Sequence, residues 1–458
     1  MKWTVLACFA CLPVFAADTK QDARDIYKEL IEINTTDSVG DNTAAAEAVA
    51  RRLRDAGFPD TDVKVLVPHP KKGNVVARLR GTGAQKPILF LAHLDVVEAR
   101  REDWSMDPFQ LNEKDGYFYG RGTEDVKNGA SYLIANFIRL KREGFRPDRD
   151  YILAITADEE GGNHNGVDWL LANHRDLIDA AFCVNTDGGG GQLLQGKPTV
   201  FGLQASEKLF QSFVIEATNP GGHSSRPRPD NAIYQLAGAL TQLQKFQFPV
   251  ELNEITRGYF EREAKFHEAQ EAADMRALAA GKASAEAIAR LEKSPYLNAQ
   301  MRTTCVPTLL QGGHAENALP QTAVATVNCR ILPGEPAEKV FAALQKVVEG
   351  SNVTIKPNRP YRTSVPSPLK PALMEVVEKV VAGMWPSATV VPIMDTGASD
   401  GRQLRAAGIP TYGIDPTFIE RDEGRAHGKD ERIPVKSFYD GVEFYYRLMK
   451  ALGTAQIQ

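Results

Sequence analysis

The sequence predicts an α/β fold in which a mainly parallel sheet carries a smaller, inserted α+β domain. Three apolar runs without polar alternation, at residues 88–91, 151–155 and 181–184, are typical of strands buried on both faces. A helical stripe of apolar residues at 133–140 separates the first two runs, and the order strand, helix, strand favours parallel pairing. The pattern of predicted elements changes after residue 205, which indicates that a second domain begins there.

The sheet domain is predicted to consist of two segments, residues 18–205 and 359–458. The first segment opens with a helix whose apolar residues recur at helical spacing. Asn42 or Thr43 can cap this helix, and Gly57 supplies a stop. A helix packed on a parallel sheet is the expected result.

Residues 206–358 are predicted to form the inserted domain. Its elements follow the order β-α-β-β-α-β, which is that of the ferredoxin-like split unit. The four strands are expected at 209–217, 306–311, 323–331 and 353–355. A charged, alanine-rich stretch at 250–300 is interpreted as a helical excursion within this domain.

Composition limits the kinds of partner. The 458 residues are 43% hydrophobic and 24% charged, so the chain can bury a large core and is long enough for two domains. The formal net charge is −4, and no long run of lysine and arginine occurs. We therefore expect no nucleic-acid partner, because nucleic-acid binding requires a basic surface. Small molecules or peptides are the expected partners.

Residues 1–17 have the layout of a signal peptide. Lys2 precedes an apolar stretch that ends at Ala16 and Ala17, and cleavage after either alanine would fit. The stretch is shorter than the roughly 20 residues that a membrane span requires, and no later segment reaches that length. The sequence therefore predicts export to a periplasm or the medium, with lipid attachment at Cys8 as the alternative.

The cysteines outside the signal peptide are Cys183, Cys305 and Cys329. An odd number at wide spacing is no disulfide framework. Each cysteine lies in or beside an apolar run, so we interpret all three as small buried hydrophobic residues. One bridge is the alternative if the compartment is oxidising.

Each of the three apolar runs is followed at once by acids or a histidine. His93 and Asp95 follow the first run, Glu159 and Glu160 the second, and Asp187 the third. Ligands of open α/β sheets gather outside the carboxyl ends of the strands, so these side chains should converge on a metal site. For any one of them alone, the alternative is an ordinary polar residue where a strand reaches solvent.

Local spacing suggests a division of roles. His93 and Asp95 should point the same way along an extended segment, so that one ring nitrogen can bind a metal while Asp95 accepts a hydrogen bond from the other. Glu159 and Glu160 should face opposite ways, one toward a metal and one toward the reacting water. Asp125, in a glycine-rich loop before a helix, could bridge two cations.

Five ordered motifs resemble the co-catalytic zinc hydrolase family of aminoacylase, carboxypeptidase S and succinyl-diaminopimelate desuccinylase. The motifs are Ala92-His93-Leu94-Asp95-Val96-Val97, residues 119–127, Asp158-Glu159-Glu160-Gly161-Gly162, Asp187-Gly188 and Ala426-His427-Gly428. The carboxypeptidase S branch is the most similar, on the segments 301–304, 317–320 and 327–334. The resemblance covers nearly all of the chain after the signal peptide. It implies that the inserted domain is a lid, and that two chains form a homodimer through this domain.

The resemblance implies two Zn²⁺ ions, for which Co²⁺ or Mn²⁺ can substitute. It assigns Asp125 as the bridging ligand, His93 and Asp187 to one ion, and Glu160 and His427 to the other. Glu159 is then the base that activates the water shared by the ions, and Asp95 holds His93. Two zinc ions with nitrogen and oxygen ligands suit amide hydrolysis. The expected activity is cleavage of a peptide or an N-acyl amino acid next to a free carboxylate.

The resemblance also implies substrate contacts. His223 resembles the lid histidine that stabilises the oxyanion, in dimeric members from the partner subunit. Asn317 and Arg330 resemble the residues that bind the substrate carboxylate, for which the guanidinium fork is suited. Ser399 and Arg402 lie in a segment that resembles the substrate loop. The alternatives are a turn histidine for His223 and solvated polar residues for the others.

Two other functions remain open at this point. A metal-binding scaffold without turnover would have no need of Glu159. An aminopeptidase-like hydrolase would need to capture a free amine, for which Asn317 and Arg330 are less suited. Val126 departs from the family pattern, which has a polar residue or Met after the bridging acid and a cis peptide bond there, so the geometry of the Asp125–Val126 bond is left open.

Overall fold

The computed structural model describes residues 12–420 and 423–457, with side chains from residue 19 onward. The predicted signal peptide lies outside the described residues as far as residue 11, and only the backbone is described for the rest of it. Among the described residues, no helix has the length and hydropathy that crossing a membrane requires.

The helices are α1 Leu12–Glu32, α2 Asn42–Asp55, α3 Lys127–Arg142, α4 Gly166–Asn173, α5 Arg175–Ile178, α6 Ala232–Lys245, α7 Glu254–Glu263, α8 Ala269–Ala279, α9 Ala285–Leu291, α10 Pro295–Met301, α11 Ala337–Val347, α12 Pro371–Met384, α13 Gly401–Ala406 and α14 Val435–Leu452. The strands are β1 Val63–Leu66, β2 Asn74–Leu79, β3 Gln85–His93, β4 Asn112–Lys114, β5 Tyr117–Tyr119, β6 Arg149–Thr156, β7 Phe182–Leu194, β8 Lys197–Glu207, β9 Leu209–Thr218, β10 Gly222–His223, β11 Thr304–Gly312, β12 Ala318–Leu319, β13 Thr322–Ile331, β14 Val353–Pro357, β15 Thr389–Asp395, β16 Thr411–Glu420 and β17 Arg432–Pro434.

The chain divides into two compact units. Unit 1 holds the described residues up to Gln204, Pro368–Val391, and the residues from Ser399 onward. Unit 2 holds Ala205–Ser367 and Pro392–Ala398.

Unit 2 is longer than the predicted insertion, 206–358. Ser364 Oγ donates to the Glu207 carbonyl at 2.6 Å, and the Ser367 N–H donates to the Ala205 carbonyl at 2.7 Å. These bonds keep the residues after 358 on unit 2. The segment has neither helical nor strand periodicity, so its sequence pattern does not show where it belongs.

Unit 1 is built on the predicted parallel arrangement. The sheet has the strand order β1-β2-β6-β3-β7-β16-β8-β15. Strand β3 pairs in parallel with β6 on one side and with β7 on the other, and β16 pairs in parallel with β7. Outside this centre, β1 and β2 pair antiparallel, as do β2 and β6. The prediction of a mainly parallel α/β domain is confirmed.

Helix α2 begins at Asn42, but the predicted cap is wrong by one residue. Asp41 is the cap, and its carboxylate accepts a hydrogen bond from the Ala44 N–H at 3.0 Å. Asp41 has the extended backbone that a capping residue adopts, whereas Asn42 is already helical. Gly57, with φ of +91°, follows the end of the helix as expected.

Unit 2 confirms the ferredoxin-like prediction. Its four-stranded sheet has the order β11-β13-β9-β14, with every pair antiparallel. Helices α6 and α11 bury their apolar residues against one sheet face, in a core that includes Phe213, Val327 and Leu344. Helices α7 to α10 form the expected helical excursion.

For two of the three cysteines the alternative, one disulfide bridge, is confirmed in place of the preferred interpretation. Cys305 of β11 and Cys329 of β13 form a disulfide bond. The two residues are direct partners in the antiparallel register, with their Cα atoms 4.0 Å apart. Linear spacing does not show this register, which is why the pair was not predicted. Cys183 is a free, buried thiol, as expected.

Candidate metal and catalytic site

The acids and the histidine that follow the three apolar runs lie close together, with His93 at the end of β3, Glu159 and Glu160 after β6, and Asp187 within β7. His93, the last residue of β3, is paired in register with Thr156, the last residue of β6. Leu91 of β3 is paired with Asn185, two residues before Asp187. Parallel pairing in this register therefore carries the chemistry-bearing side chains to the same end of the strands.

His93 is buried, with 2% of its surface exposed, and its ring is held by the backbone. Nδ1 lies 3.0 Å from the Asp95 carbonyl oxygen, which can only accept a hydrogen bond, so Nδ1 carries the proton in the neutral ring. The Nε2 lone pair is then available, and Nε2 lies 3.2 Å from Asp125 Oδ1 without forming a hydrogen bond to it. An unpartnered buried nitrogen of this kind fits a metal ligand.

The predicted contact between His93 and the Asp95 carboxylate is replaced by a different one. Nδ1 is 3.7 Å from Asp95 Oδ1, too far for a hydrogen bond. The other oxygen, Oδ2, accepts the Glu160 N–H at 2.8 Å. Asp95 therefore holds the Glu159–Glu160 segment by its side chain and His93 by its carbonyl.

Asp125 lies between two histidines from distant parts of the chain. Its Oδ1 is 3.2 Å from His93 Nε2, and its Oδ2 is 3.0 Å from His427 Nε2. His427 Nε2 is also 3.0 Å from Glu160 Oε1. Burial acts to raise the pKa of Asp125, but the two histidines hold it below the ordinary range. The Asp125–Val126 peptide bond is cis.

Two overlapping groups of side chains could each hold a cation. One group is His93, Glu159 and Asp187; the other is His93, Asp125 and Glu160. Within each group the candidate ligand atoms lie within 4.8 Å of one another. The residues named from the sequence as ligands in unit 1 are thus brought together at this edge.

The site has a surplus of negative charge. Burial opposes protonation of His93, but Asp125, Asp95 and Glu159 raise its pKa well above the ordinary value. Asp125 and Glu160 raise the pKa of His427 to about 10. Both histidines are thus surrounded by carboxylates that bind positive charge, which is what a pair of divalent cations would provide.

The carboxylate of Glu159 has a raised pKa in this site. Burial raises its pKa well above the ordinary value, and the nearby carboxylates of Asp187, Asp400 and Glu160 act in the same direction against His93. A carboxylate with a raised pKa is a better general base near neutral pH than an ordinary one.

Ser399 and Arg402 lie in the segment that resembles the substrate loop. Ser399 is buried, and its hydroxyl accepts the Gly401 N–H at 3.1 Å. The Arg402 N–H donates to the Ser399 carbonyl. The sequence analysis predicted no role for the neighbouring Asp400. Its Oδ1 accepts from Asn165 Nδ2 at 2.6 Å, and burial raises its pKa to about 6. The feature that could have indicated it is its position between Ser399 and Arg402, in the segment that resembles the substrate loop.

For two further residues of unit 1, Glu431 and Arg121, the sequence analysis predicted no role. Both are buried, and they form an ion pair at 2.6 Å. Their signals were the position of Arg121 in the same loop as Asp125 and the position of Glu431 shortly after His427.

His223 and Asn317 lie side by side in unit 2. His223 pairs with Ala318 through β10 and β12, and the Ser224 N–H donates to the Asn317 carbonyl at 3.0 Å. The Ser225 N–H donates to His223 Nδ1 at 3.1 Å, so the neutral ring carries its proton on Nε2. The exposed His223 ring therefore presents an N–H donor.

Arg330 lies at the other end of β13 from this pair. Its guanidinium carbon is 4.9 Å from the centre of the Phe210 ring, and Nη1 donates to the Thr396 carbonyl at 3.3 Å. Arg359 approaches the same ring at 5.1 Å. Arg330 and Asn317 are thus separated, although the resemblance implies that both bind the substrate carboxylate.

Comparison with known proteins agrees with this architecture. The profile of Peptidase family M20/M25/M40 matches residues 89–451. The N-fatty-acyl-amino acid synthase/hydrolase PM20D1 of Xenopus tropicalis is 27% identical over 91% of this chain and 82% of its own length. The probable carboxypeptidase S-like 2 of Dictyostelium discoideum is 30% identical over 80% of this chain and 71% of its own.

Among solved structures, the M20 family metallo-carboxypeptidase Sso-CP2 from Sulfolobus solfataricus matches with a TM-score of 0.72. The match covers 94% of this chain and 99% of that one at 16% identity, which shows the fold. The resemblance found in the motifs is confirmed. The chain is a metal-dependent hydrolase that belongs to peptidase family M20/M25/M40.

Proposed function

We propose that the protein is an exported dinuclear zinc hydrolase that cleaves the amide bond of a peptide or an N-acyl amino acid next to a free carboxylate. The observation that carries this proposal is the Asp125 carboxylate, which faces His93 with one oxygen and His427 with the other. A carboxylate in that position suits a bridge between two cations. The names of the similar proteins, an acyl-amino acid hydrolase and a carboxypeptidase, support this pair of substrate classes.

The residues at the site fit a pair of zinc ions. His93 and Asp187 would hold one ion, Glu160 and His427 the other, and Asp125 both. The donors are imidazole nitrogens and carboxylate oxygens, a set that also accommodates Co²⁺ or Mn²⁺. When bound, the ions would polarise the substrate carbonyl and lower the pKa of the attacking water.

The chain's own groups would move the protons and orient the substrate. Glu159 would take a proton from the attacking water and deliver it to the leaving amine. His223 would donate its Nε2 hydrogen to the developing oxyanion. Arg330 would bind the substrate carboxylate, because a guanidinium without a carboxylate partner among the described residues can accept an anionic ligand. Ser399 and Arg402 would add substrate contacts.

A substrate series tests the need for a free carboxylate. We expect N-acyl amino acids or dipeptides to be cleaved, and the same compounds with a C-terminal amide to lose about 10²-fold or more in kcat/KM, by analogy with other losses of a bidentate polar contact. Arg330→Gln should remove most of this preference and raise KM. Metal analysis of the same preparation should find two zinc ions per chain. Equal cleavage of acids and amides by the unaltered protein would contradict carboxylate recognition.

We further propose that the active form is a homodimer in which one substrate contacts lid residues of both subunits. Asn317 and Ala318, the partner of His223, precede the start of β13 at Thr322, whereas Arg330 lies eight positions after Thr322 at the other end of that strand. Eight positions on an extended strand span about 26 Å. One small substrate does not cover that distance, so His223 and Asn317 of one subunit would act together with Arg330 of the other.

Complementation between two inactive variants tests the shared site. His223→Ala and Arg330→Gln should each have low activity, and each should keep its metal. Mixed, unfolded and refolded together, they should regain about a quarter of the unaltered activity, because half of the dimers are mixed and each mixed dimer has one intact site. No gain over the separate variants, with mixed dimers shown by mass, would count against the proposal.

Export is proposed from residues 1–17. The Cys305–Cys329 disulfide supports it, since disulfides persist in oxidising compartments outside the cytosol. Expression with residues 1–17 present, followed by N-terminal sequencing of the exported protein, should show cleavage after Ala16 or Ala17. A protein that stays in the cytosol with Lys2 present would rule this out.

A further inference from the structure

We propose that Glu431 and Arg121 form a buried pair that positions Asp125 and His427 for metal binding. This inference rests on the proposed dinuclear site. Asp125 and His427 come from two loops far apart in the sequence, and each lies outside a helix or strand. A site built from loops needs other contacts to hold the ligands in place.

The Glu431 carboxylate, fully buried, binds the backbone of the Asp125 loop. Its Oε1 accepts the N–H of Glu124 at 2.6 Å and that of Asp125 at 3.1 Å. Its Oε2 accepts the Gly122 N–H at 3.2 Å and Arg121 Nη1 at 2.6 Å. One side chain thus accepts three backbone donors of the loop, one of which is the N–H of Asp125, the proposed bridging residue.

Arg121 extends the same network to the His427 loop. Its Nη2 donates to the Gly428 carbonyl at 3.2 Å and to the His427 carbonyl at 3.4 Å. Its guanidinium carbon lies 5.0 Å from the centre of the Trp104 ring, which covers it. Arg121 therefore contacts the carbonyl of one proposed ligand while its ion-pair partner, Glu431, binds the N–H of the other.

Glu124 adds a second link between the two loops. Its Oε2 accepts the Arg425 N–H at 2.7 Å, two residues before His427. The backbone N–H of Glu124 is one of those that Glu431 binds. The two loops are thus joined through side chains that do not face a metal. Their shared function is to fix the separation between Asp125 and His427.

The buried pair also has an electrostatic reason to be a pair. A lone carboxylate at the position of Glu431 would add to the surplus of negative charge around Asp125. Arg121 compensates it, so Glu431 can bind the loop N–H groups without repelling the bridging carboxylate. Removing either partner would leave the other charge buried and uncompensated, a strongly unfavourable situation.

The test is zinc affinity, measured by competition with a chelator, in Glu431→Gln, Arg121→Gln and the double variant. We expect each single variant to bind zinc about 10- to 100-fold more weakly, the usual effect of losing an outer contact to a ligand. The double variant should be no worse than the weaker single one, because the two residues act as a unit. The visible spectrum of the Co²⁺-loaded variants should change, as ligand geometry is altered.

Asp150→Asn is the matched control. Asp150 also accepts a backbone N–H, from Gly81 at 2.8 Å, and pairs with Arg78 at 3.1 Å, but it lies at the amino end of β6. The Asp150→Asn variant should lose some stability, whereas its zinc affinity and Co²⁺ spectrum should not change. If Glu431→Gln fails to fold, Arg121→Lys, which keeps the charge, supplies the measurement.

Two failures are distinguishable. If the unaltered protein binds two zinc ions and the variants bind them equally well with an unchanged Co²⁺ spectrum, the positioning role is wrong while the proposed function stands. If the unaltered protein itself binds no zinc, the dinuclear site is wrong.

Discussion

Glu159→Gln is expected to lower kcat by about 10³-fold while two zinc ions per chain remain bound. General-base catalysis contributes about 10²- to 10⁴-fold, and an amide is too weak a base to take a proton from the attacking water. The change is small in volume, and the Glu159 N–H and carbonyl remain, so the neighbouring Glu160 should keep its position. Steady-state kinetics and metal analysis of the same sample measure both quantities.

Two variants define the meaning of that result. Glu160→Gln should lose activity and one of the two zinc ions, because Glu160 lies 3.0 Å from His427 and is proposed to bind the same ion. Glu443→Gln, on the exposed side of α14, should retain both. Substantial turnover by Glu159→Gln would refute its role as the base. A loss of zinc in that variant would instead make Glu159 a ligand, a possibility that its place in one of the two candidate groups makes worth measuring.

The parts of the fold that the sequence predicts are those that depend on local pattern. The continuous apolar runs at 88–91, 151–155 and 181–184 reflect burial on both faces, and they are strands β3, β6 and β7. Parallel pairing of these strands then brings His93, the last residue of β3, and Asp187, which lies within β7, to the same end of the sheet. The element order β-α-β-β-α-β within residues 206–358 similarly predicted the ferredoxin-like sheet.

The parts that pattern does not predict depend on register or on loops. Cys305 and Cys329 are paired because two antiparallel strands happen to align them, and apolar flanks say nothing of alignment. Glu431 has a role only through the fold, because its partners are backbone groups of another loop.

The site shows the same division. The predicted strand ends indicated that His93, Glu160 and Asp187 lie close together. Asp125 and His427 were named mainly on resemblance. Their loops have no periodicity from which a position could be worked out. The structure supplies what was missing: the two carboxylate oxygens of Asp125 face histidines from two directions.

That geometry makes Asp125→Asn the variant with the largest expected loss of metal. A bridging carboxylate offers one negatively charged oxygen to each cation, whereas an amide offers one neutral oxygen and a nitrogen that repels cations. We therefore expect the variant to bind neither zinc ion tightly and to have activity at background level. Metal content after dialysis against a chelator-treated buffer measures the first effect.

His427→Ala is the informative comparison, because His427 is proposed to serve only one of the two ions. It should keep about one zinc ion per chain, held by His93, Asp125 and Asp187. Thermal unfolding separates the cases independently of activity. Zinc at about 100 times its Kd should stabilise the unaltered protein by about 2.7 kcal/mol per site, and Asp125→Asn by much less. If Asp125→Asn still binds two zinc ions and His427→Ala binds none, then His427 rather than Asp125 is the ligand on which both ions depend.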